Sequence, residues 1–294
     1  MKSTVFLLMF ACFAFAGATP APQGQPAGAR TRDIYVSVVD NKGVAAPGLT
    51  ATDFAVREGG VAREVIKAAP AAGPVSIILL VDDSQASTAS IPYLRDGITH
   101  FIDLMKGKAS VGIVTVGERP TSILEGTSDL QAQKKAIGRI FARPGSGAYL
   151  LDGIMEVSRG VQKRNTQRAH LIALSVEAVE FSNLQHEMVL KELLASGATL
   201  HVLAIGTSAE PMSDEMRNRS IVIADGTQQT GGRREQLLSP MAIDDHLTRL
   251  AGELSNQYLV TYSRPEALIQ PEKVQVSVKK AGLTARARTR LLDK

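Results

Sequence analysis

Residues 75–86 read VSIILLVDDSQA, an apolar run from Val75 to Val81 that stops at Asp82, Asp83 and Ser84. Such a run fits a strand buried on both faces of a parallel sheet, with a polar loop at its carboxyl end. Downstream, Ile91, Leu94, Ile98, Phe101, Ile102 and Met105 recur at helical spacing. Residues 111–116 and 121–124 predict a strand pair around Glu118-Arg119-Pro120. Leu150, Leu151, Ile154, Val157 and Val161 mark a second helix, followed by a strand over 171–176. A third helix, with Val189, Leu190, Leu193 and Leu194, ends at Gly197, and 199–205 is another buried strand. Alternation of this kind requires right-handed crossovers and a mainly parallel sheet wrapped by helices, an α/β Rossmann-like unit.

Residues 206–239 break the rhythm and predict one long polar loop, in which Gly231-Gly232-Arg233-Arg234 forms a solvated turn. Ser239 then caps and Pro240 starts a helix whose apolar face is Ile243, Leu247, Leu250, Ala251 and Leu254. The two ends of the chain are different in kind. Ile34, Val36 and Val38 start a set of short strands over 33–72, and 257–294 carries another set. Neither set has enough strands for a core of its own, so the two are expected to join in one small β-sandwich around the inserted α/β unit, residues 73–256.

At the amino end, Lys2 precedes an apolar core of residues 5–15 and small residues at Ala14, Ala16 and Ala18, the build of a secretory signal peptide over 1–18. Residues 19–32, rich in Pro, Gly and Ala, read as a linker. The one cysteine, Cys12, lies inside the signal segment, so cleavage would leave no thiol and exclude disulfides, Cys-bound zinc and cysteine nucleophiles. The destination expected is secreted or periplasmic, with no membrane span in the mature chain. A net charge of +4 with no Trp and 4% aromatic residues argues against nucleic acid as a partner.

The segments VSIILLVDDSQA, GAYLLDGI (147–154), LIALSVE (171–177) and VLAIG (202–206) resemble the von Willebrand factor type A domain family. The flanks GLTATDFAVREGG from Gly48 and LAGELSNQYLVTYSRP from Leu250 are similar to those of bacterial secreted proteins related to it. The resemblance implies a metal-ion-dependent adhesion site of Asp-x-Ser-x-Ser, a Thr on a second loop and an Asp after a later strand. Asp82 and Ser84 match the first two positions, whereas Ala86, Ala148 and Val176 stand at the other three. Magnesium needs near-octahedral oxygen donors, so a degenerate site is expected, with no metal and no cofactor. Asp82 and Ser84 would instead bond loop amides. Asp83, Ser87, Ser146, Ser175 and Glu177 are oxygen donors beside the same loops, and a displaced metal site built from them is the alternative.

His100, His170, His186, His201 and His246 lack metal-ligand spacing and are expected at the surface or in helix packing. Ser84 and Ser87 lack the glycine-flanked elbow that exposes a nucleophile, which argues against a hydrolase. Arg286, Arg288 and Arg290 alternate along a strand and are expected to charge an exposed sheet face against aggregation. The function expected is a secreted, non-enzymatic protein-interaction module with an unidentified protein partner. A metal-dependent adhesion domain is the alternative, and an unrecognised enzyme the third choice. The binding surface is expected at Asp82, Asp83, Ser84, Ser87, Ser146, Tyr149 and Glu177, with Tyr149 as anchor.

Overall fold

The computed structural model describes residues 29–207, 213–265 and 273–290. The expected signal peptide and Cys12 lie outside them. In chain order the elements are β1 (Ala29–Asp40), β2 (Phe54–Glu58), β3 (Val61–Arg63), β4 (Val65–Pro70), β5 (Val75–Val81), α1 (Ile91–Leu104), β6 (Ala109–Thr115) and β7 (Thr121–Thr127). There follow α2 (Leu130–Ile137), α3 (Leu150–Lys163), β8 (Ala169–Val176), α4 (His186–Ser196), β9 (Thr199–Ile205), α5 (Asp214–Thr230) and β10 (Arg234–Leu237). The chain closes with α6 (Ile243–Ser255), β11 (Tyr258–Pro265), β12 (Val274–Val278) and β13 (Leu283–Arg286).

The central sheet has the order β10-β9-β8-β5-β6-β7, parallel throughout except for β7. β5 sits between β8 and β6, with Leu79 opposite Ile172 on one side and Ile113 on the other. Its side chains alternate between two cores, as a period of two demands. Ile77, Leu79 and Val81 pack with Leu94 and Ile98 of α1, Ile137 of α2 and Leu247 and Leu250 of α6. Leu80 packs on the other face with Leu151 and Ile154 of α3, Val189 and Leu193 of α4 and Val222 of α5. Burial on both faces is why β5 carries an unbroken apolar run rather than an alternating one.

The chain ends meet as expected. β1 pairs antiparallel with β11 through Ala29↔Pro265 to Val36↔Tyr258 and with β13 through Ser37↔Arg286 to Asp40↔Leu283. The resulting sheet, β13-β1-β11-β4, faces a smaller one, β12-β2-β3. One core holds both: Val36, Val38, Phe54, Val56, Tyr258, Val260 and Tyr262 are buried together. Tyr258 meets Phe54 edge-on at 5.4 Å and donates its hydroxyl to Ala46 O at 2.7 Å.

Four departures from the expected pattern have physical reasons. β1 starts at Ala29, inside the predicted linker, because β11 supplies backbone partners that early. Residues 206–239 are not one loop: they hold α5 and β10. α5 was hidden because its buried face is built from Asn218, Arg219, Gly226, Thr227 and Thr230 as well as Val222 and Ile223, which breaks hydrophobic periodicity. Gly231 ends that helix in the left-handed region, and Arg233 is ion-paired to Glu235 and Glu253, so the expected solvated turn is a packed junction. Third, β13 ends at Arg286. Arg286 donates to Glu253, and Arg288 is largely buried with its guanidinium on Leu194 O, so these arginines charge no exposed face. Finally, His170 and His201 lie on the buried strands β8 and β9 rather than at the surface or on a helix. Among the described residues no helix is long and apolar enough to cross a membrane.

Candidate functional site

Parallel strands direct their carboxyl ends to one pole, and there the loops after β5, β6, β8, β9 and β10 converge with residues 138–149. Asp82 and Asp83, adjacent on an extended chain, turn opposite ways. Asp82 is buried and accepts from Ser84 N at 3.0 Å and Val176 N at 3.0 Å, tying the β5 loop to the end of β8. Asp83 is buried and accepts from Gly117 N at 2.6 Å and Arg143 Nε at 2.8 Å, tying the same loop to the β6–β7 turn and to residues 138–149. That carboxylate, through its hydrogen bond and charge, holds the Arg143 guanidinium above its ordinary pKa.

The expectation that Asp82 bonds loop amides is met, but Ser84 departs from it. Its hydroxyl, like that of Ser87, is buried without a hydrogen-bond partner among the described residues. Ser146 is half-buried and donates to Arg143 O at 2.8 Å. Ala148 is buried and bridges Glu180, and Val176 is half-buried.

Glu177 does not join the aspartates. It accepts from Arg219 of α5 at 2.8 Å, in a buried cluster where Arg219 also reaches Ser175 Oγ at 3.2 Å and Glu180 at 3.7 Å. Glu180 accepts in turn from Ser182 N at 3.2 Å. Burial pushes the Glu180 carboxyl up to about 7, against the pull of Ser182 and Arg219. Sequence reasoning missed Arg219 because it lies in the segment read as a loop, and no local signal marks it as buried.

Tyr149 precedes α3 and is half-buried, its ring 6.0 Å from that of Phe181. Gly147 makes the neighbouring space: a Cβ there would lie 2.0 Å from the Phe181 ring. Phe181 itself is 51% exposed. Val179 on the same loop, Phe141 before Arg143, and Leu238 and Met241 after β10 are exposed too, Leu238 to 81%. Apolar residues standing in otherwise polar loops were the available sequence signal for Val179 and Phe181.

A second buried polar feature lies at the opposite end of the sheet. His170 Nδ1 is 3.0 Å from His201 Nε2, with the rings stacked at 5.3 Å. Arg233 N donates to His201 Nδ1, so neutral His201 carries its proton on Nε2 and donates it to His170. Burial lowers both histidines, His201 to about 3, and Arg286 and Arg233 add to the effect at His201.

No family model matches the chain, and no curated protein does. Solved structures do. A von Willebrand factor type A protein from Catenulispora acidiphila aligns over 90% of this chain and 73% of its own at 14% identity, with a TM-score of 0.52. The chain has the von Willebrand factor type A fold. Proximal thread matrix protein 1 from the mussel byssus aligns over 62% of this chain and 48% of its own at 16% identity and a TM-score of 0.49. The pilus adhesin SpaC from Lactobacillus rhamnosus GG aligns over 81% and 47% at 12% identity and a TM-score of 0.49. Among the described residues no group of three His, Cys, Asp or Glu is arranged to hold a metal ion.

Proposed function

We propose that this type A unit is a non-enzymatic protein-interaction module whose binding face is the carboxyl-end loops, in a chain exported by the signal peptide of residues 1–18. The observation that carries the reading is the set of exposed apolar side chains at that pole: Phe141, Val179, Phe181, Leu238 and Met241. Large apolar groups left in water are characteristic of surfaces that bury them against a partner. Asp82, Asp83, Ser84, Ser87 and Ser146 form the rigid polar floor, and Tyr149 braces Phe181, which replaces Tyr149 as the foremost anchor.

The proposed face works without a divalent cation, because the donors present do not fit one. Ala86, Ala148 and Val176 bring no side-chain oxygen, and both Asp82 oxygens already accept from backbone amides or Ser175. Glu177, a donor for a displaced site, is neutralised by Arg219 instead. The test is site-specific photocrosslinking from position 181 in the envelope fraction of the cells that make the protein, with and without EDTA. A discrete adduct insensitive to EDTA supports the reading, and an adduct lost in EDTA replaces it with metal-dependent adhesion.

A further inference from the structure

At the pole opposite the carboxyl-end loops, a cleft of about 500 Å³ lies between the central sheet and the β1-containing sheet. Its walls are the amino ends of β8 and β9, the junction after α5, the edge of β1 and the segment following β13. Arg30, Arg32, Arg168, Arg286 and Arg288 line it, and Asp33 is the one acidic residue among the described lining residues. The volume lies in the range of small-ligand sites.

Two of these guanidiniums, both half-buried, rest on neutral acceptors alone among the described residues. Arg168 donates to Gln257 Oε1 at 3.0 Å and to the carbonyls of Ala71, Gly73 and Leu254, and stands 5.6 Å over the Tyr35 ring. Arg288 donates to Leu194 O at 3.1 Å. Neither touches a carboxylate among the described residues, although burying a cation without a counter-charge is costly. Burial accordingly lowers both, Arg288 to about 10. Backbone strain gathers at the same wall. Among the described residues Asn165 (φ 48°) and Arg168 (φ 49°) are the non-glycine residues in the left-handed region, and both line the cleft. The left-handed turn at Asn165 and Arg168 sets the Arg168 guanidinium at the wall of the cleft.

We infer that this cleft is a binding site for a small molecule carrying two or more anionic oxygen groups, phosphate or carboxylate, whose charge compensates the Arg168 and Arg288 guanidiniums. Guanidiniums bind such groups through paired N–H donors, and converging cations between low-dielectric walls focus the field on an anion. The exposed edge of Tyr35 beneath Arg168 gives the uncharged part of the ligand an apolar wall.

The test is calorimetric titration of the full chain with inorganic pyrophosphate, with citrate and with sucrose as an uncharged control. One-to-one binding with Kd below about 1 mM is expected for at least one of the two anions and none for sucrose. The anion that binds assigns the group as phosphate or carboxylate. Arg168→Gln and Arg288→Gln, folded by circular dichroism, should each weaken binding about tenfold or more, whereas Arg217→Gln on the exposed side of α5 should not. Because Arg168 also ties the two sheets together, phenylglyoxal footprinting of the unaltered chain provides an independent measure. The bound anion should slow modification of Arg32 and Arg286 and leave Arg57 and Arg217 unchanged. No saturable binding of either anion up to about 10 mM, or equal slowing at all four arginines, would overturn the inference.

Discussion

Arg219 Nη1 lies 2.8 Å from Glu177 Oε2, a contact between α5 and the end of β8 in which both side chains are at least 95% buried. A helix that sequence periodicity did not disclose thus supplies a buried cation at the carboxyl-end pole. It organises Glu177, Glu180 and Ser175 without occupying the surface itself.

Removing that cation strands two buried carboxylates. Arg219→Met should therefore destabilise the chain by about 3–5 kcal/mol, measured by urea denaturation. A loss under about 1 kcal/mol would mean that Glu177 and Glu180 find water or protons instead.

Gly117 shows how tightly the aspartate loop is closed. A Cβ there would lie 2.7 Å from the Asp83 carbonyl carbon, and backbone cannot yield as a flexible side chain can. Gly117→Ala should cost about 2 kcal/mol or more and disturb the hydrogen bond that the Gly117 N–H donates to Asp83. In contrast, Gly147→Ala meets first the Phe181 ring, an exposed side chain that can turn away, so it should change stability by less than about 1 kcal/mol while weakening partner binding.

The pH dependence separates two buried features. His170 and His201 are depressed in the fold, so their stabilisation is complete above the unfolded value of 6.5 and is lost as pH falls towards about 3 for His201. Glu180 is raised from 4.5 to about 7, so its contribution is complete below 4.5 and is lost as pH rises to about 7. The stability of the unaltered chain minus that of Glu180→Gln should therefore fall on the order of 3 kcal/mol between about pH 4.5 and 7, and stay flat below that window. A flat difference throughout would place Glu180 in an ordinary solvated setting.

Much of this was legible in the sequence. The run from Val75 to Val81 announced a central parallel strand, because burial on both faces leaves no room for alternation. The short apolar strands at each chain end implied that they must meet, as β1 and β11 do. What stayed hidden depended on long-range pairing. α5 buries Arg219, Asn218 and Thr230, so its inner face looked polar. Arg286 and Arg288 looked solvated because their acceptors, Glu253 and Leu194 O, are far away in the chain, and the same Glu253 joins the nearby Glu235 in holding Arg233. Asp82, Asp83 and Ser84 were rightly grouped on one loop, whereas the opposite directions of the two aspartates follow from Gly117 and Val176, which only the fold brings near.

Calorimetric titration with magnesium or manganese should give no binding tighter than about millimolar, since Ala86, Ala148 and Val176 leave Ser84 with too few oxygen neighbours. A stoichiometric micromolar site lost on Asp82→Ala would contradict this.

Metal-independent protein binding at the carboxyl-end loops can be read out by comparing photocrosslinking from position 181 with that from position 61. Val61 is equally exposed but lies on β3 of the chain-end sandwich. A discrete protein adduct is expected from position 181, unchanged by EDTA, and none from position 61. Equal labelling from both positions, or an adduct at 181 that requires magnesium, would contradict it.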